Sequence, residues 1–429
     1  MVNESVVNIS TLDCPDFPKN IQILVEGVDF WVQGVLQTLF AVFGIFFNVL
    51  FSFVLSHKDL RNSFNILLIV LSTFDTCYLI GSILESIRVS FQLATTLHVH
   101  LFPYFLHPAK SIAMTGSIFM TVAISFERYV AVHNPIDYNL AMNDPRATRR
   151  RVAKFMIPVI MLVMLFSINK FFEARIDYQV SGPNNETITP KIIHTDFRVN
   201  PDYVHKINWS RFFVLGVIPV ALLIYFNRKI YQDVKEREKR RRPLANQFPV
   251  NRNSGEHHPE GRRDSNEDGN TDGTSCLNRV GRRRVEDKMA LLFMSIVLAF
   301  LICNFPRIYL NFHEIMILDN AMACYEAGKA GFPAWFWITA SLSHLLLVIN
   351  SSINMFVYCL YNTKFREVAR TIFTNSCCSI TRCTNWFKKR KRDSNLRGYD
   401  EDLNAEVIDL AVSKKNMNTA NSTTTIAKL

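Results

Sequence analysis

The stretch WVQGVLQTLFAVFGIFFNVLFSFVL, residues 31 to 55, carries no charged side chain. A helix of about 20 apolar residues is long enough to cross a ~30 Å hydrocarbon layer, so this stretch reads as a membrane span. Working outward, six more apolar runs follow: NILLIVLSTFDTCYLIGSIL, PAKSIAMTGSIFMTVAISF, FMIPVIMLVMLFSI, FFVLGVIPVALLIYF, MALLFMSIVLAFLICNF and FPAWFWITASLSHLLLVINSSINMFVYCLY. The fourth is short, but the flanking Lys154 and Lys170 can snorkel to the two interfaces. Composition agrees: 34 phenylalanines against 15 glycines suit lipid-facing helices better than a soluble core. The predicted fold is an all-α membrane protein, a seven-helix bundle with a short amphipathic eighth helix on the cytoplasmic side.

Charge sets the expected orientation. Segments 56–64, 133–154, 228–288 and 361–429 carry +1, +3, +5 and +6, more than the whole-chain net of +11. An excess of Lys and Arg marks cytoplasmic loops, which places the N-terminus outside and the C-terminus inside. The opening residues have neither a basic n-region nor an apolar h-region, so the first span is expected to serve as its own targeting signal at the plasma membrane. Three sequons, at Asn3, Asn8 and Asn185, fall on the outer side as glycan acceptors. Of the nine cysteines, only Cys14 and Cys324 face the oxidising side, which predicts one bridge between them.

These boundaries divide the chain into an outer tail over 1–30, a seven-span domain over 31–361, an amphipathic helix over 362–374 and a cytoplasmic tail over 375–429. Within the domain, the polar segment at about 243–280 is too poor in apolar residues to order itself. In NTKFREVARTIF, Phe365, Val368, Ala369, Ile372 and Phe373 form one helical stripe, expected to lie along the inner membrane surface among its lipids. Cys377 and Cys378 follow at the depth of an acyl anchor.

The positions of particular residues within the spans resemble those of the rhodopsin-like G-protein-coupled receptors. The resemblance covers roughly residues 30 to 375 and rests on Asn48, Asp75, ERY at 127 to 129, Pro219, CNFP at 303 to 306 and NMFVY at 354 to 358. It implies that Glu127, Arg128, Tyr129, Glu286, Asn354 and Tyr358 form an activation switch. In that switch Glu127 neutralises Arg128 and Glu286 locks it to the sixth span. It implies a packing triad of Pro219, Ile118 and Phe300, with Pro306 as a pivot. It also implies a pocket of Asp75, Ser117, Asn350 and Ser351 for an allosteric sodium ion, with no other cofactor. The partners implied are a heterotrimeric G protein, receptor kinases and arrestin, and no nucleic acid. The family's usual bridge from the third span to the next outer loop is missing, because Pro103 holds that position and no cysteine occurs between 78 and 275.

Within the family, Lys110 stands where amine receptors hold an aspartate, and Val348 where opsins hold a lysine. Both classes are therefore set aside. Three segments, including FEARIDY and NPDYVHKINWSRFFVLGVIPVALLIYFN, look like the invertebrate FMRFamide-receptor-like neuropeptide receptors. A peptide ending in arginine and an amidated aromatic is the expected ligand. Glu85, Lys110, Glu173, Asp177, Tyr309, His313, Glu314 and Trp335 are its candidate contacts, the carboxylates for the arginine and the rings for the aromatic. A class A receptor for a non-peptide ligand, or one that signals constitutively, is the alternative. Nothing favours a transporter or channel, and no enzymatic motif occurs.

Overall fold

The computed structural model describes residues 14–16, 18–60, 62–134, 145–181, 187–247 and 271–374. At 145, 180–181, 187–188, 199, 238, 240–247, 271–293 and 326 it describes the backbone alone. The expected glycan sites Asn3, Asn8 and Asn185, the acyl sites Cys377 and Cys378, and the side chain of Glu286 lie outside the described residues.

Among the described residues, seven helices are long and apolar enough to cross a membrane. They are Lys19–Leu55, Ser63–Val89, Thr96–His133, Arg146–Phe171, Pro201–Arg237, Met294–Tyr325 and Ala334–Ser352, called here the first to seventh spans. The first span shows why the bundle needs lipid. Ala41, Gly44, Asn48, Phe51 and Leu55, spaced at helical intervals, are buried, while Phe43, Phe46 and Phe53 are each about 60% exposed (59%, 62% and 62%). Gly44, Ala41 and Asn48 face inward while three of the phenylalanines face outward, the reverse of a water-soluble helix. Gly44 lets the first span approach the second and seventh closely, because a Cβ there would overlap Ser352 and Leu79. At Gly116 of the third span a Cβ would stand 2.5 Å from the Phe74 ring of the second.

Local signals set the helix ends. Asn62 caps the second span by accepting from the backbone amide of Asn65. Thr95 caps the third in the same way through His98. Asn200 caps the fifth, with Pro201 at its first position. Gly328, at φ +71°, closes the turn after the sixth span, where its amide donates to the Tyr325 carbonyl. The first helix starts at Lys19, so the boundary expected at residue 31 falls inside it. Helical backbone also reaches Gln247 after the fifth span and begins at Thr271 before the sixth, narrowing the expected 243–280 loop from both edges. After the seventh span the helix resumes over Asn354–Tyr361, and residues 363–374 are helical again.

The first, third and fifth spans each carry a π-helical segment, at Asp29–Leu36, Phe102–Leu106 and Arg211–Val217. By connectivity all three lie at the same end of the bundle as Cys14. Between the fourth and fifth spans, β1 (Ala174–Ser181) pairs antiparallel with β2 (Thr187–His194), with Ala174 opposite His194.

Candidate functional site

The polar groups of the interior gather at three levels. In the middle, Asp75 is 1% exposed. Ser117 donates to one of its oxygens at 2.6 Å and Asn354 to the other at 2.8 Å. Asn48 donates to the Ser351 carbonyl at 2.8 Å, and Ser72 donates to the Asn48 carbonyl at 3.0 Å. Ser117, Asn350 and Ser351 line a cavity of about 10 Å³, room for about one water, which Ile118 and Phe300 also border. Of the residues that sequence reading assigned to sodium, Ser117 donates to Asp75, while Ser117, Asn350 and Ser351 border the cavity, which Asp75 does not line. Pro219 is buried on the fifth span.

At one end, Glu127 is fully buried. It accepts from Ser63 at 3.0 Å and pairs with Arg128 at 2.6 Å, while Arg151 of the fourth span lies 3.6 Å away. The Arg128 guanidinium stacks 3.9 Å above the Phe64 ring. Tyr129 stacks on His133 and Phe226, and Tyr358 donates to Asn65 at 2.8 Å. Glu127 and Arg128 therefore share the start of the second span, at Ser63 and Phe64, while Tyr129 faces Phe226 of the fifth.

At the other end, Cys14 and Cys324 form a disulfide with their Cα atoms 5.7 Å apart. The expected ligand contacts divide into groups here. Glu85 is paired with Lys110 and lies 3.8 Å from Arg88. His313 sits edge-on to Trp335 at 4.6 Å, with Tyr309 6.4 Å from the same indole and Phe336 5.9 Å from the imidazole. Glu314 accepts from Asn208 at 3.1 Å. Asp177 is exposed on β1.

Glu173 is a buried hub. Both of its oxygens lie 2.6 Å from the Lys170 ammonium, Tyr203 donates at 2.9 Å, and His107 and Arg198 stand at 3.6 and 3.8 Å. Burial alone would raise this carboxyl, but the His107 hydrogen bond and the Lys170 and Arg211 charges outweigh it and hold the group well below the usual carboxylate range. This cluster joins the third, fourth and fifth spans at the root of the β1–β2 loop. It answers the question left by the missing third-span cysteine, because charge and hydrogen bonds occupy the place of the covalent staple.

Sequence reading missed Arg211 and Arg307, which border a second cavity of about 10 Å³ with Met114, Asn304 and Asn311. The signal was present: an arginine stands just before the apolar run of the fifth span and another two residues after that of the sixth, and a charge at membrane depth is costly unless it is used.

Seven crossing helices around a buried carboxylate, with a buried Glu–Arg pair closing one end, define a multi-pass membrane protein. A family model described as 7 transmembrane receptor (rhodopsin family) matches residues 47–358, and the chain belongs to that family of G-protein-coupled receptors. Among curated relatives, it is 25% identical to the FMRFamide receptor of Drosophila melanogaster, over 81% of this chain and 54% of that protein. The chain thus spans about half the length of that relative. It is 22% identical to the FMRFamide peptide receptor frpr-18 of Caenorhabditis elegans, over 82% of this chain and 72% of the relative. It is also 21% identical to the cholecystokinin receptor of Xenopus laevis, over 93% and 87%.

Proposed function

We propose that the protein is a plasma-membrane receptor for an extracellular neuropeptide of the amidated Arg-Phe type, and that it activates a heterotrimeric G protein. The disulfide end faces outward and the Arg128 end faces the cytosol. The observation that carries this reading is the aromatic wall of Tyr309, His313, Trp335 and Phe336 at the end where the disulfide holds the N-terminal segment, with the Glu314 carboxylate on the neighbouring face of the sixth span toward Asn208. Rings accept an aromatic side chain and a cation on their faces, and a carboxylate takes the arginine fork. The names of the Drosophila and Caenorhabditis relatives support the same ligand class.

At the cytosolic end, Glu127 holds Arg128 in the resting state, and release of Arg128 opens the cleft for the G protein. The Asp75 pocket supports an allosteric sodium ion. A charge between the second, third and seventh spans would favour the state in which those spans are drawn together. The direct test is a calcium and cyclic-nucleotide response in cells expressing the full chain, challenged with Phe-Met-Arg-Phe-amide and with its free-acid form. A response to the amide that the free acid fails to match is expected. Equal silence to both at confirmed surface expression removes the peptide assignment.

A further inference from the structure

Arg211 and Arg307 project from the fifth and sixth spans toward one cavity of about 10 Å³, bordered also by Met114 and Ile118 of the third span and by Asn304 and Asn311 of the sixth. They repel one another across it. Among the described residues, neither guanidinium has a carboxylate within 4.0 Å. Arg307 donates to the Met114 thioether, a weak acceptor for a full charge. The carboxylate that acts on Arg307 is Glu314, two helical turns further along the same span and about 10 Å along its axis. Glu314 is itself held by Asn208. The carboxylate that acts with Arg211 is Glu173, which already serves Lys170, His107 and Arg198. Lys110, on the third span, is matched by Glu85. Carboxylates thus match Lys110 and Lys170, whereas Arg211 and Arg307 border one cavity with the Asn304 and Asn311 amides, and Arg307 has the Tyr78 phenol, not a carboxylate, as its foremost polar neighbour. An arrangement that costs stability in the resting protein is repaired by an anion that reaches both forks.

We infer that the cavity between Arg211 and Arg307 is an anion subsite that takes an acidic group, a carboxylate or sulfate. The inference rests on the peptide reading above only for the source of that group, which is an acidic side chain upstream of the amidated Arg-Phe end. The cavity admits little more than one oxygen in the present packing, so the acid acts by drawing the two arginines together. Ile118 and Asn304 border both this cavity and the one beside Ser117, so closure of the forks bears directly on the packing next to the sodium pocket.

The test uses Phe-Met-Arg-Phe-amide extended at its N-terminus by Asp or by Asn, together with sodium sulfate in the absence of peptide. Cell responses and thermal unfolding of the purified full-length receptor are the readouts. An Asp peptide more potent than its Asn twin by about tenfold, with the difference lost in Arg307→Gln and partly kept in Arg307→Lys, supports the subsite. Saturable stabilisation by sulfate beyond that of sodium chloride at equal sodium concentration and ionic strength, with equal Asp and Asn peptides, supports it too and identifies a free anion as the occupant. Silence to every amidated peptide with sulfate stabilisation intact removes the peptide reading and leaves the subsite. A receptor that answers Asp and Asn peptides equally and ignores sulfate overturns the subsite and leaves the peptide reading. Indifference to both peptides and sulfate also overturns it. The sulfate arm needs no variant, so a misfolded Arg307→Gln does not rescue the proposal.

Discussion

The ammonium of Lys170 lies 2.6 Å from both carboxylate oxygens of Glu173, and each side chain is about 5% exposed (5% and 5%). Removing one partner of a buried pair strands the other, at a cost of about 3 to 5 kcal/mol. Glu173→Gln should therefore lower the unfolding temperature and surface expression sharply, more than Asp177→Asn on the exposed strand nearby. Equal effects of the two changes would show that the hub does not hold the loop.

The same carboxyl gives a pH dependence of defined sign. Its folded pKa is depressed from the ordinary 4.5, so its contribution is fully present above that value and is lost as the pH falls toward the native one. Thermal unfolding of the purified receptor should show a gap between parent and Glu173→Gln that does not shrink from pH 7 to about 5 and shrinks only in stronger acid. A gap that narrows between pH 7 and 5 contradicts the assignment.

The disulfide closes a sequence separation of 310 residues. Chain-entropy arguments give such closures several kcal/mol, about 3 to 5. Cys14→Ser and Cys324→Ser should each reduce ligand potency to the same extent, with the double change no worse than either alone. Additive losses measured in concentration–response curves would mean that the two thiols act separately.

Glu127 is the buried counter-charge of Arg128 and also accepts from Ser63. Glu127→Gln should raise ligand-independent signalling, by about fivefold if the pair holds the resting state by about 1 kcal/mol. Glu286→Ala should do the same if the sixth span shares the lock. Basal second-messenger levels at matched surface density decide both cases.

If the Asp75 oxygens hold sodium, the ion and an agonist must oppose each other reciprocally. Sodium should weaken agonist binding by about fivefold or more, and Asp75→Asn should abolish the dependence. A flat sodium titration in the parent receptor removes the ion from the account.

Sequence alone located the seven spans, because uncharged runs of that length have few other uses, and it paired Cys14 with Cys324 by compartment. Asp75 and its neighbours were legible because a lone carboxylate in a span demands partners. Glu173 was legible as a charge near the mouth, but its occupation by Lys170, His107, Arg198 and Tyr203 was not. Those partners come from three spans, and their meeting depends on how the helices pack. The Glu85–Lys110 pair was hidden for the same reason: each residue read as a ligand contact until the second and third spans were laid side by side. The first helix began earlier than its hydropathy suggested, since KNIQILVEGV is amphipathic and too mixed to register as a span.

The π-helical segments have a consequence for anyone placing this chain on the ruler of its relatives. A π turn holds one more residue than an α turn, so everything on its far side is rotated by about 100° relative to an uninterrupted helix. Positions counted outward from Pro219 keep phase only as far as Val217, where the Arg211–Val217 segment begins to turn the face. The same slippage affects counts that pass through Phe102–Leu106 and Asp29–Leu36. Numbering transferred from a straight-helix relative will then point mutagenesis at lipid when it aims for the ligand, and the cytosolic half of each span will give no warning of the error.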